Sequence, residues 1–225
     1  MRHLVRLVLL MAVVFGVWAF GVRLRYAPAP LGRLSAPPMP SFRPLSPYPL
    51  VTKIPTDPPR PTPDPKLSCP PDMVKVDNFC IDRYEFPNRK GAMPRTMINW
   101  YQAQAECAKL GKRLCTEDEW IRACDGSPGG GKLRRYSYGD TFVLENCNVQ
   151  NTHAVPSGTF TKCRSAWGAY DMVGNVYEWV QPRPGSRIYT LGGAWGEGRG
   201  ASCYKAGAGY QPGYYQEHIG FRCCK

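Results

Sequence analysis

INWYQAQAECAKLGKRLCTEDEW, residues Ile98 to Trp120, encodes two helices almost end to end. Asn99 is a short polar residue able to accept from the orphan amides of a first turn, and Trp100, Ala103, Cys107 and Leu110 then recur at helical spacing. Gly111, which takes positive φ without strain, predicts the stop. Thr116 and Glu119 form a capping box, after which Trp120, Ala123 and Cys124 repeat on one face. The run Glu117, Asp118, Glu119 is first-turn charge favoured by the helix dipole and carries no paired-carboxylate catalytic signal. Beyond Asp125, Gly, Asn, Ser and Tyr interrupt short apolar runs, which predicts loops and short strands. The pattern predicts an irregular, loop-rich α+β domain with two adjacent helices.

Outward from those helices, composition divides the 225 residues into three parts. All ten cysteines lie at or after Cys69, and fourteen of the 23 prolines fall between Tyr26 and Lys66. This predicts an N-terminal signal anchor over 1–25, a Pro-rich stalk over 26–66 and one folded domain over 67–225. Leu7 to Val22 (LVLLMAVVFGVWAFGV) is a sixteen-residue apolar run between the basic start Met1 to Arg6 and Arg23 and Arg25. It reads as a transmembrane anchor, extended by Leu4 and Val5 if Arg6 snorkels, since a spanning helix needs about 20 residues. A cleaved signal peptide is the alternative; no small-x-small site closes the run, and no cysteine follows it for lipidation. The proline-rich stretch holds an extended, donor-poor chain, a spacer reaching on the order of 100 Å at about 3.1 Å per residue. PxxP ligands for aromatic grooves are the other reading of the same residues.

Ten cysteines with no CxxC knuckle point to disulfides in an oxidising compartment, which places the domain in the periplasm or extracellular space. A zinc site would want paired ligands, and the histidines are His3, His153 and His218 only. The formal charge of +12 splits into nine Lys/Arg against two Asp before residue 67 and twenty against fifteen after it. A surplus of five without a basic stripe is ordinary surface charge and excludes nucleic acid as the partner.

FCIDRYEFPN (Phe79 to Asn88), the double helix above, GAYDMVGNVYEW (Gly168 to Trp179), GGAW (Gly192 to Trp195) and GFRC (Gly220 to Cys223) occur in this order. Together they resemble the formylglycine-generating enzyme, or sulfatase-modifying factor, family. The resemblance implies a loop-rich variant of the C-type lectin-like fold. Trp100, Trp120, Trp179 and Trp195 are expected as core packing.

In that family the DMVGNVYE turn binds structural Ca²⁺, and the side chains of Asp171 and Glu178 with the carbonyls of Gly174 and Val176 match it. Two carboxylates around a glycine turn suit an oxygen-preferring cation; a tight turn with solvated acids is the alternative. A second family site starting at Asn148 and Val149 lacks its later acidic residue and is not expected. The resemblance also implies the disulfides Cys107–Cys223 and Cys124–Cys203. For the rest, proximity suggests Cys69–Cys80 and Cys147–Cys163, leaving Cys115–Cys224.

Active members hold Cu(I) on two cysteines shortly after the GGAW-like element. Counting from Gly192, those positions here are Glu197 and Ser202, one place before Cys203. Soft thiolates suit Cu(I), and a single Cys203 is a poor copper site, so Cu(I) is not expected and no catalytic residue is assigned. The expected function is a membrane-tethered, non-catalytic binding or scaffold module of the cell envelope, with Tyr204, Tyr210, Tyr214 and Tyr215 as a face for a protein or glycan. The alternatives are surface tyrosines in a Gly-rich loop and, for the whole chain, a copper-dependent oxidase with an altered site that makes formylglycine from a target cysteine.

Overall fold

The computed structural model describes residues 62–126, 128–129, 133–208 and 210–225, all within one compact unit, Thr56–Lys225. The expected anchor over 1–25, and the stalk up to residue 61, lie outside the described residues. Among the described residues no helix is long and apolar enough to cross a membrane.

Two small sheets and two helices carry the fold. Strands β1 (Met73–Val76) and β2 (Phe79–Asp82) form an antiparallel hairpin with Val74 opposite Ile81. At its turn Asp77 adopts φ 44°, and its carboxylate accepts from Arg122 Nε at 2.7 Å. Helix α1 (Trp100–Lys109), strand β3 (Arg113–Leu114) and helix α2 (Glu117–Asp125) follow. Strands β4 (Tyr177–Trp179), β5 (Thr190–Leu191), β6 (Ile219–Phe221) and β7 (Cys223–Cys224) complete the set. The first sheet runs β1-β2-β7-β3 and the second β5-β4-β6, with β4 and β6 parallel. The C-terminal strand β7 therefore lies inside the first sheet, pairing with β2 and β3.

Each helix starts at its expected residue. Asn99 accepts from Gln102 N while the Gln102 side chain accepts from Asn99 N, and Thr116 and Glu119 exchange the same pair of bonds. Trp100, Ala103 and Cys107 are buried, but Leu110 is 55% exposed. The helix ends at Lys109, and Leu110 is its C-cap, so the expected fourth apolar position turns outward. Trp120 and Trp179 are fully buried and Trp100 nearly so, whereas Trp195 is half-buried and packs on the rim of the core.

Five disulfides staple these pieces: Cys69–Cys80, Cys107–Cys223, Cys115–Cys224, Cys124–Cys203 and Cys147–Cys163. Neighbouring residues on a strand point to opposite faces, so the adjacent Cys223 and Cys224 reach different partners, one on α1 and one after β3. Each bridge contributes about 2–4 kcal/mol by constraining the unfolded chain.

Candidate functional site

Strand β4 places Glu178 at the centre of the second sheet, opposite Leu191 and Gly220, with no solvent exposure. A carboxylate there needs a charged partner. Arg222, two residues beyond Gly220, supplies it: Nε reaches Glu178 Oε2 at 2.7 Å and Nη2 reaches Oε1 at 2.6 Å. Trp120 Nε1 adds a third bond to Oε2 at 2.7 Å. The rest of the guanidinium is also used, donating to the carbonyls of Asp82 and Tyr170 at 3.1 and 2.7 Å.

Two more buried acids surround this pair. Asp171, at φ 55°, accepts from Gly158 N at 2.6 Å. Glu85 accepts from Ser157 Oγ at 2.6 Å and from Asn175 Nδ2 at 2.8 and 3.1 Å. Three carboxylates thus face one guanidinium. Burial raises Asp171 to about 7, with Arg222 and Gly158 pulling against the rise and Glu178 adding to it. Burial, followed by repulsion from Asp171 and Glu178, lifts Glu85 well above the usual carboxylate range. Asn148 donates to Asn175 Oδ1 at 2.8 Å, and its own Oδ1 is buried without a hydrogen-bond partner among the described residues. Gly174 takes φ 76° against the Asn148 carbonyl, where a Cβ would collide.

This geometry bears on the calcium expectation. Asp171, Gly174, Val176 and Glu178 lie on the expected turn, but the Glu178 carboxylate is charge-compensated and occupied along both oxygens. A carboxylate clamped by a guanidinium offers a hard cation little uncompensated charge. Asp171 and two carbonyls remain, and Ca²⁺, which takes roughly six to eight oxygens, would have to draw the rest from water. In this arrangement Glu178 is engaged by Arg222 and is not free to act as the fourth donor. Among the described residues no group of three or more His, Cys, Asp or Glu is arranged to hold a metal ion.

The positions counted for copper hold different chemistry. Glu197 Oε1 accepts from the Tyr177 hydroxyl at 2.5 Å, and its Oε2 lies 3.4 Å from Lys205 Nζ. Burial, then the bond to Glu197, drives the Tyr177 hydroxyl pKa upward. Ser202 is buried, and Cys203 is fully buried in its bridge to Cys124. No cysteine of the chain is free.

The four tyrosines of the expected face do not all share one surface feature. Tyr210 and Tyr214 stack with ring centroids 4.5 Å apart, and Tyr210 meets Trp179 edge-on at 5.6 Å. Tyr215 is exposed. Tyr204 donates to Asp125 Oδ2 at 2.5 Å and lines a cleft of about 430 Å³ whose walls include none of the other three.

Sequence reasoning missed Glu85 and Arg222 as partners of this site, along with Asn175, Tyr177 and Tyr189. The available signal was a charged residue inside an otherwise apolar short run, as Arg222 in IGFRCC; Glu85, in FCIDRYEF with Asp82 and Arg83, carried a weaker one. Such a residue is buried only when it is paired.

Residues 80–225 match the model of the sulfatase-modifying factor enzyme 1-like domain. Over 99 residues the chain is 37% identical to hercynine oxygenase of Mycolicibacterium thermoresistibile, covering 41% of this chain and 22% of that protein. Over 151 residues it is 29% identical to inactive C-alpha-formylglycine-generating enzyme 2 of Bos taurus, covering 58% of this chain and 49% of that protein. The chain therefore spans under a quarter of the first relative and about half of the second. Among solved structures, PvdO from Pseudomonas aeruginosa superposes with a TM-score of 0.51 at 21% identity, over 73% of this chain and 88% of that one. Treponema denticola variable protein 1 gives the same TM-score at 17% identity over 68% and 90%. These likenesses show the fold, a loop-rich, C-type lectin-like α+β architecture. With the family model matched over more than half its length, the chain belongs to the sulfatase-modifying factor enzyme 1-like domain family.

Proposed function

We propose that this protein is a non-catalytic binding or scaffold module of the cell envelope, tethered by residues 1–25 and spaced from the membrane by the proline-rich segment 26–66. One observation carries the reading. Where Cu(I) would need two thiolates, a carboxylate and a hydroxyl residue stand, and the neighbouring Cys203 is consumed by a disulfide. Glu197 is further engaged by Tyr177 and Lys205. The similarity to a relative named as inactive is in keeping with this. An envelope protein or a glycan is the partner expected for exposed tyrosines on such a module.

Family membership is what favours the second reading, a copper-dependent oxidase acting on a cysteine in a Cys-x-Pro-x-Arg segment. That reading requires Cys203 as a thiolate. The test is oxygen consumption by the detergent-solubilised full chain supplied with Cu(I) and such a peptide. The module reading predicts consumption no greater than the copper-only background, and turnover abolished by Cys203→Ser would overturn it.

A further inference from the structure

The cleft lined by Tyr204 deepens that reading, on which this inference rests. Its lining carries three aliphatic side chains, buried Leu191 of β5, half-buried Ile121 of α2 and exposed Ala206, together with two aromatic ones, Tyr189 and Tyr204. Both rings are held by their hydroxyls. Tyr204 donates to Asp125 at 2.5 Å, and Tyr189 is hydrogen-bonded to Glu117. Glu117 itself lies 3.3 Å from Arg183 Nε, so this acid is spent twice. The remaining charged group on the lining is Arg187, which is exposed and makes no ion pair among the described residues.

That inventory discriminates between ligand classes. A sugar presents hydroxyls around its ring and needs several free donors and acceptors to replace water. Here the tyrosine hydroxyls and Glu117 are already committed. What the lining offers is aliphatic side chains, two aromatic rings and one guanidinium with no ion pair among the described residues. This set fits an apolar side chain with a carboxylate beside it, since the apolar group fills the space between the rings and the carboxylate takes the Arg187 fork. A second basic segment lies nearby, beside the acids Asp125 and Asp140, which Tyr204 and the Arg135 amide engage. Arg134 N donates to the Asp125 carbonyl at 3.1 Å, and Cys203 N donates to the Arg135 carbonyl at 3.0 Å, which brings the Arg134–Arg135 segment beside Tyr204.

We infer that the cleft between Tyr189 and Tyr204 binds an acidic, apolar peptide segment of a partner protein, seating an apolar side chain on Leu191 and Ala206 and its neighbouring carboxylate on Arg187. The partner is thus a protein and not a glycan.

The test is an NMR titration of the full chain in detergent micelles with the peptide Ac-Gly-Leu-Asp-Gly-amide, reading the backbone amides of Leu191, Ala206 and Gly207. Saturable shifts are expected. Replacing Asp by Asn in the peptide, or Arg187→Gln in the protein, should weaken binding by about tenfold, the loss of one charge-assisted fork. Replacing Leu by Ser should weaken it by a similar factor. Arg187 is on the surface, so an unchanged thermal midpoint shows that the variant is folded. No saturable shift, equal affinity for the Asn peptide or for Arg187→Gln, or the same amides moving with a galacturonic acid trisaccharide would each overturn the assignment. Copper-dependent oxygen consumption on the same samples separates the two levels. Turnover there sinks the module reading itself, whereas absent peptide binding without turnover sinks only the assignment of this cleft.

Discussion

Arg222 lies along both carboxylate oxygens of Glu178, at 2.7 and 2.6 Å, and neither side chain is exposed. The pair joins β4 to the residue between β6 and β7, so one ion pair ties the two sheets together across 44 residues of sequence. Removing one partner leaves a buried charge uncompensated. Arg222→Met and Glu178→Leu are each expected to cost about 3–5 kcal/mol, and the double variant should recover part of that loss, since the two charges leave together while Asp171, Glu85 and the Trp120 donor stay behind. Urea denaturation of the four proteins checks this, and additive losses in the double variant would contradict the pairing.

The same pair bears on calcium. With Glu178 held by Arg222, chelation with EGTA is expected to leave the thermal midpoint of the purified protein unchanged, and added Ca²⁺ to leave it unraised. A midpoint that climbs with Ca²⁺ in the manner of ligand linkage would restore the ion and require Glu178 to release Arg222.

Glu119 gives a pH dependence whose sign follows from its partners. Burial would raise its carboxyl pKa, but the Arg113 fork, at 2.6 Å to each oxygen, and the Thr116 amide outweigh it and hold the group below its ordinary value. A depressed carboxyl stabilises the fold above its unfolded pKa, and that contribution disappears as pH falls through the folded one. Glu119→Gln is therefore expected to cost about 1 kcal/mol at pH 7, a modest figure because Arg113 is half exposed, and almost nothing at pH 2. Denaturation midpoints at the two pH values measure it.

The Cys124–Cys203 bridge closes 79 residues and joins the end of α2 to the loop after Ser202. Replacing both cysteines by alanine is expected to lower stability by about 2–5 kcal/mol. Cys124→Ala alone frees the Cys203 thiol, yet one thiolate beside Glu197 is expected to give no copper-dependent oxygen uptake. Uptake in this single variant would show that the disulfide alone masks an oxidase.

Much of the helical part was legible because its signals are local. Asn99 with Gln102 and Thr116 with Glu119 lie three residues apart, and their caps form as the spacing requires. Leu110 was misread by the same rule, since helical periodicity does not say at which residue the chain leaves the helix, and Lys109 is the last turn. The roles of Glu178 and Arg222 were not legible. Their motifs mark both residues, but only the parallel pairing of β4 with β6 brings the carboxylate to the guanidinium. The tyrosines show the same limit. Tyr204 and Tyr210 look alike in a Gly-rich stretch, and it takes the Leu191–Ala206 and Ile188–Tyr210 bridges to seat that segment along β5, with Tyr204 held by Asp125 and Tyr210 by Trp179. Tyr189 and Arg187 carried no sequence signal at all, since their meaning comes from a cleft assembled by α2, β5 and the loop after Cys203.

The most direct test of the central claim, that the copper position is closed, is disulfide and free-thiol mapping by mass spectrometry on the non-reduced full chain. A Cys124–Cys203 linked peptide and no alkylated cysteine among the ten are expected. A free, alkylated Cys203 would contradict this and leave available the thiolate that the oxidase reading requires.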